Sequence, residues 1–210
     1  MFWCGGRAPY AGAMLSLAPH ATTLLVVDLQ QGFDEPRWGR RNNPHLEQRA
    51  SELLRVWRAT RRPVVHVRHM STDPCSPLRP GQGGNAFKPE TAPVAGERVI
   101  EKRVHSAFIG TTLEADLRRA GCRELMIVGL TTNHCISTTA RMAGNLGFVT
   151  CVVSDATATF DRVGLDGGPH RAEQIHAMAL SDLHGEFATV VDTAAVVAAV
   201  LVPSLVRSTP

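Results

Sequence analysis

Apolar residues arrive along this chain in two alternating rhythms. Short continuous runs occur at Thr23-Leu24-Leu25-Val26-Val27, Pro63-Val64-Val65-His66-Val67, Arg98-Val99-Ile100, Leu125-Met126-Ile127-Val128, Phe148 to Val153 and Phe187 to Val191. Runs of this length suit strands buried on both faces. Between them lie segments with helical signals. Asn43-Pro44 reads as an N-cap with proline in the first turn, opening a helix to about Thr60. Thr111-Thr112-Leu113-Glu114 has the capping-box pattern and predicts a helix to about Ala120, closed by Gly121. Ile136 to Leu146, Pro169 to Leu183 and Thr193 to Leu201 predict three more. Ser71 to Gly96 breaks the rhythm. It is rich in proline and glycine, and a loop of that length in a compact domain is expected to wall or cover a site.

Strands alternating with helices imply a parallel sheet, because parallel neighbours need crossover connections. The expected fold is therefore a three-layer α/β/α sandwich around a six-stranded, mainly parallel sheet, Rossmann-like in plan. The 210 residues suffice for one well-buried domain, placed at 21–210, behind a flexible lead-in at 1–20 in which Met14 offers a second possible start. The net charge of +3, from 22 basic and 19 acidic residues, forms no basic stripe interleaved with aromatics, so no nucleic-acid partner is expected. No apolar stretch approaches a membrane span. The five cysteines are odd in number, scattered and without a CxxC pair, which argues against a disulfide framework or zinc knuckle and fits a reducing cytoplasm. Met1 to Tyr10 lacks the apolar core of a signal peptide.

In an open parallel sheet, ligands bind beyond the carboxyl ends of the strands. Three strand ends there carry chemistry: Asp28, Lys102, and the turn Gly129-Leu130-Thr131-Thr132-Asn133-His134-Cys135. Cys135 falls where a strand turns into a helix N-terminus, whose free N–H groups and dipole favour a thiolate. A carboxylate beside it can take its proton, and a lysine stabilises both anions.

The same residues carry a resemblance. Asp28-Leu29-Gln30-Gln31-Gly32-Phe33 matches the Asp-x-Gln-x-x-Phe motif of the isochorismatase-like cysteine hydrolases. Lys102 with Ser106-Ala107-Phe108-Ile109-Gly110-Thr111-Thr112-Leu113 resembles the second block of that superfamily. Gly129 to Cys135, followed by Ile136-Ser137-Thr138-Thr139-Ala140-Arg141, resembles its nucleophile block. The agreement runs in order from about Leu24 to Val200.

The resemblance implies a catalytic Asp28, Lys102 and Cys135, with Cys135 attacking a carbonyl carbon and Asp28 accepting its proton. It also implies a cis peptide at Leu130–Thr131 that aims the N–H groups of Thr131 and Cys135 at a developing oxyanion. The expected reaction is hydrolysis of an amide, ureide or lactam through a thioester. Protonated Asp28 would serve the departing nitrogen, and Asp28 would then activate water. Members that bind a metal do so through an Asp-x-His pair after the second strand. This chain has Arg68-His69-Met70-Ser71-Thr72-Asp73-Pro74 there, and His66 and His69 are three apart on a strand, hence on opposite faces. No metal or other cofactor is expected. Phenazine-type members that hydrolyse vinyl ethers lack the cysteine, so Cys135 favours acyl chemistry.

Phe33, Trp38, Phe108 and Phe160 are candidate substrate-pocket walls, and Arg68, Lys88 and Arg162 candidate recognisers of a carboxylate or carbonyl. His134 reads as a pocket-wall or structural residue. A small-molecule substrate and a homodimer or homotetramer are the expected partners. Two alternatives stay open: isochorismatase-type ether hydrolysis, and a non-catalytic metabolite-binding member of the same fold. A receiver-type signalling domain is excluded, because the third strand ends in Lys102 and Leu29-Gln30 follow Asp28.

Overall fold

The computed structural model describes residues 17–18 and 20–201. Met14 and Cys4 lie outside the described residues. Leu17, within the expected lead-in, is already tied down: it is buried, and its N–H donates to Glu124 Oε2 at 3.0 Å.

Six strands form one sheet: β1 (Thr22–Val27), β2 (Val64–His69), β3 (Arg98–Lys102), β4 (Glu124–Leu130), β5 (Val149–Ala158) and β8 (Thr189–Val191). Their order is β3-β2-β1-β4-β5-β8, and all five pairings are parallel. The chain winds outward from β1 in one direction and from β4 in the other. The carboxyl ends of β1 and β4 thus flank the topological switch point, where such sheets open a crevice.

Alternation along the strands feeds two cores. Leu24, Val26, Met126, Val128 and Val153 pack with α1 (Leu46–Ala59) and α5 (Thr193–Leu201). Leu25, Val27, Val65, Val67, Ile100 and Ile127 pack with α2 (Leu113–Arg119), α3 (Ser137–Asn145) and α4 (Ala172–Leu183). The expected three-layer sandwich is what forms. Among the described residues, no helix is long and apolar enough to cross a membrane.

Three local expectations need correction. Asn43 does not cap α1; it adopts φ +45° and its Nδ2 donates to the Ser154 and Thr157 carbonyls at 2.8 and 2.6 Å. The helix starts three residues later. Pro169 and His170 are not helical but form β7 (Pro169–His170), antiparallel to β6 (Arg162–Val163), a short hairpin ahead of α4. The helix expected from Ile136 is preceded by a wider π-helical turn, Thr132–Ile136, which contains Cys135.

Candidate active site

Each candidate side chain comes from the carboxyl end of a strand, and local backbone explains how they meet. Ile100 and Lys102 of β3 share a face with Val65, Val67 and His69 of β2, toward α2 and α3. Alternation alone would send Asp28 to the opposite face, with Leu24 and Val26. Asp28 instead has φ +55°, a left-handed conformation that aspartate tolerates better than most residues. The alternation breaks there, and the carboxylate turns to meet Lys102.

The result is a buried cluster around one ammonium. Lys102 Nζ lies 2.6 Å from Asp28 Oδ2 and 3.2 Å from Cys135 Sγ. It lies 2.9 Å from His69 Nδ1, and it donates to the Val104 carbonyl at 3.2 Å. Asp28 is 0% exposed, Lys102 1% and Cys135 5%, so solvent screens these charges little. Asp28 and Lys102 thus form a buried ion pair at the centre of the cluster.

Electrostatics sets the resting state. Burial alone would lower the pKa of Lys102, but the charge of Asp28 and the interaction with Cys135 outweigh it, and the ammonium is held above its ordinary value. Burial and the neighbouring Asp28 carboxylate push the Cys135 thiol far up, against the pull of Lys102. The helix-terminus argument for a resting thiolate is therefore overruled: desolvation and a carboxylate outweigh a partial dipole charge. Burial and the charge of Lys102 push His69 down to about 4, against Asp28. His69 is thus neutral at pH 7, and its Nδ1 accepts from the ammonium.

Asp28, His69 and Cys135 offer an oxygen, a nitrogen and a sulfur all within 4.8 Å, a donor set suited to a metal ion. Lys102 Nζ stands among them and is the cation they share. His66, on the other face of β2, bonds Glu97 Oε2 at 2.8 Å and takes no part.

The nucleophile turn is braced from three sides. The Leu130–Thr131 peptide is cis. The Thr131 carbonyl accepts from the N–H groups of His134 and Ile136 at 3.1 and 3.2 Å. Thr132 Oγ1 meets His176 Nδ1 of α4 at 2.8 Å, and Thr159 Oγ1 donates to Asn133 Oδ1 at 2.5 Å. On the β1 side, buried Gln30 accepts from the His69 N–H at 2.8 Å and donates to the His69 and Asn85 carbonyls. The motif glutamine thereby ties the 71–96 loop to the strand that delivers His69.

Residues 22–195 match the family described as Isochorismatase domain. The chain belongs to the isochorismatase family. An isochorismatase family protein of Bacillus subtilis (strain 168), YrdC, is 43% identical over 170 residues, covering 81% of this chain and 91% of its own. Nicotinamidase 3 of Arabidopsis thaliana is 29% identical over 182 residues, covering 80% and 83%. The crystal structure of a hydrolase of the isochorismatase family from Chromobacterium violaceum ATCC 12472 superposes with a TM-score of 0.85 at 46% identity, over 90% of this chain and 98% of that one.

In this isochorismatase-family hydrolase a cavity of about 330 Å³ opens beside the nucleophile turn, reaching it through Thr131 and His134. Trp38 and Phe160 line it and stack on one another, and Phe33 packs against both, stacked on Phe160 and tilted against Trp38, with centroids 5.2 to 6.2 Å apart. Three of the four candidate wall aromatics therefore converge. Phe108 does not join them: it is buried against Phe148 in the α2–α3 core. Arg68 shares the face of His66, where it pairs with Glu101 and lies over Phe87, so it is turned away from Lys102. Lys88 is buried between Asp34 and Glu47. Arg162 does line the cavity and donates to His134 Nε2 at 2.6 Å. Burial and Arg162 hold His134 below the ordinary histidine range, which suits it to accept.

Two further residues reach the site. The sequence motif offers His69 only as a metal ligand, although strand parity with Val65 and Val67 points it at the site. His105 belongs to no strand or helix, and only its position three residues after Lys102 signalled it. Its Nδ1 lies 3.4 Å from Cys135 Sγ.

Proposed function

We propose that this family member is a cysteine-dependent hydrolase of small, non-peptide carbon–nitrogen substrates, cleaving an amide, ureide or lactam through a thioester. The observation that carries this reading is the position of Lys102 Nζ, 2.6 Å from Asp28 and 3.2 Å from Cys135. A nucleophile and a proton acceptor both contact one fixed positive charge and lie within 4.8 Å of each other, with water largely excluded.

Asp28 removes the thiol proton as sulfur attacks the carbonyl carbon. Protonating Asp28 removes the negative charge that holds the thiol's pKa up, so transfer and attack favour one another. Lys102 stabilises whichever of the two groups is anionic. The oxyanion develops against the N–H groups of Thr131 and Cys135. The amine or ammonia leaves, and water cleaves the thioester. The cavity walled by Trp38 and Phe160 suits a small planar molecule rather than a polypeptide. The nicotinamidase relative, whose name denotes cleavage of an amide, supports the reaction class.

Incubating the protein with a panel of small amides, ureides and lactams, with isochorismate beside them, tests the reading through release of ammonia or amine. Release from at least one nitrogen substrate, abolished by Cys135→Ala, is expected. Turnover of isochorismate alone, or full activity in the alanine variant, would overturn it.

A further inference from the structure

The buried triad has a proton acceptor on its inner side only. Asp28 is 0% exposed, with the Lys102 ammonium against it. A substrate bound in the cavity would present its departing nitrogen and the hydrolytic water from the cavity side of the sulfur. A row of imidazoles runs from the triad to that cavity: His69 and His105 have centroids 6.2 Å apart, and His105 and His134, which lines the cavity, 5.5 Å. Two of them are committed. His69 Nδ1 accepts from Lys102, and His134 accepts from Arg162 through Nε2 while its Nδ1 meets Thr131 Oγ1.

His105 is the imidazole that touches the reacting atom, with Nδ1 3.4 Å from Cys135 Sγ and the residue exposed to solvent. Its backbone is clamped on both sides. The preceding Val104 carbonyl accepts from Lys102 Nζ, and two residues on, the Ala107 N–H donates to Thr139 Oγ1 of α3 at 3.1 Å. A loop residue held this way keeps its ring over the thiol.

We propose that His105 is a second catalytic residue, serving the leaving group and the hydrolytic water while Asp28 serves the thiol. The proposal rests on the thioester reading above. The thiol proton passes to Asp28 as the S–C bond forms. Protonated His105 gives its proton to the nitrogen as the C–N bond breaks, and becomes neutral. Neutral His105 then takes a proton from water as the water oxygen bonds the thioester carbon. The C–S bond breaks, and the thiolate recovers its proton from Asp28. Both groups end as they began, and the net change is hydrolysis.

p-Nitrophenyl acetate separates the two roles, because its leaving group departs as an anion and needs no proton. Wild-type protein is expected to release a burst of nitrophenolate and then turn over steadily. His105→Ala is expected to keep the burst and lose about 10²-fold in the steady state, the range general acid–base catalysis supplies. Imidazole added to the solution restores its turnover, since the vacated position opens to solvent. His105→Gln, which retains a hydrogen-bonding group but cannot relay a proton, is expected to be as slow as the alanine variant. Wild-type turnover in the glutamine variant would show that His105 only positions the thiol, and would overturn the proposal alone. Failure of imidazole to restore the alanine variant would do the same. Undiminished turnover of p-nitrophenyl acetate by Cys135→Ala would overturn the thioester reading and this inference together.

Discussion

Gly129 of β4 passes so close to β1 that a β-carbon on it would stand 1.9 Å from the Val27 carbonyl oxygen. Its φ of +124° is itself closed to residues with a side chain. The contact lies one residue before Asp28 on β1 and one before Leu130 on β4, so it sets the spacing between the carboxylate and the nucleophile turn. The obstacle is backbone on both sides and cannot be relieved by a rotamer change. Gly129→Ala is expected to cost more than about 3 kcal/mol, lowering the thermal midpoint by roughly 6–12 °C for a protein of this size. A midpoint within about 2 °C of wild type would show that the strands can part without loss.

What the sequence disclosed follows from where its physics is local. Six apolar runs and the polar residues ending them were enough to place Asp28, Lys102 and Cys135 at one edge of a parallel sheet. The errors lie where tertiary contacts decide. Asn43 looks like a cap, but the Ser154 and Thr157 carbonyls hold its side chain across the fold. Arg68 looked like a substrate contact, yet the parity that separates His66 from His69 also turns Arg68 toward Phe87 and Glu101. That signal was present in the sequence. The resting protonation of Cys135 was not, since it depends on burial and on a carboxylate more than a hundred positions away.

The buried Asp28–Lys102 pair makes a double-mutant prediction. Lys102→Met leaves a carboxylate at 0% exposure without its counterion, and breaking such a pair typically costs 3–5 kcal/mol. Adding Asp28→Asn removes the stranded charge. The double variant is expected to recover most of the lost stability by urea unfolding, while hydrolysis stays absent in both. A double variant no more stable than Lys102→Met would place the cost in packing rather than in charge.

His69 ties stability to pH. Its folded-state value of about 4 lies below the ordinary 6.5, so the unfolded chain binds a proton that the native protein refuses. The stabilisation is complete above pH 6.5 and is lost as pH falls toward 4, amounting to about 2 kcal/mol by pH 5. Burial holds His66, His134 and His176 low as well, and they act with the same sign. Thermal midpoints are expected to fall between pH 7 and 5, and less steeply in His69→Gln. Equal slopes in the two proteins would remove His69 from the account.

Cys135 makes the opposite prediction to an activated thiol. Burial and Asp28 raise its pKa, so the free protein carries a thiol, not a thiolate, through neutrality. Alkylation by iodoacetamide, followed at the Cys135 peptide by mass spectrometry to set aside exposed Cys75, is expected to be slow at pH 7. It should climb by about tenfold per pH unit without levelling by pH 9, where an ordinary cysteine has already begun to saturate. Asp28→Asn removes the carboxylate and leaves Lys102 to favour the thiolate. That variant should alkylate faster than wild type at pH 7 and hydrolyse more slowly, because it has gained thiolate and lost its proton acceptor. A wild-type profile that levels off near pH 7 would mean that the helix terminus and Lys102 prevail over burial, and that Cys135 rests as the thiolate.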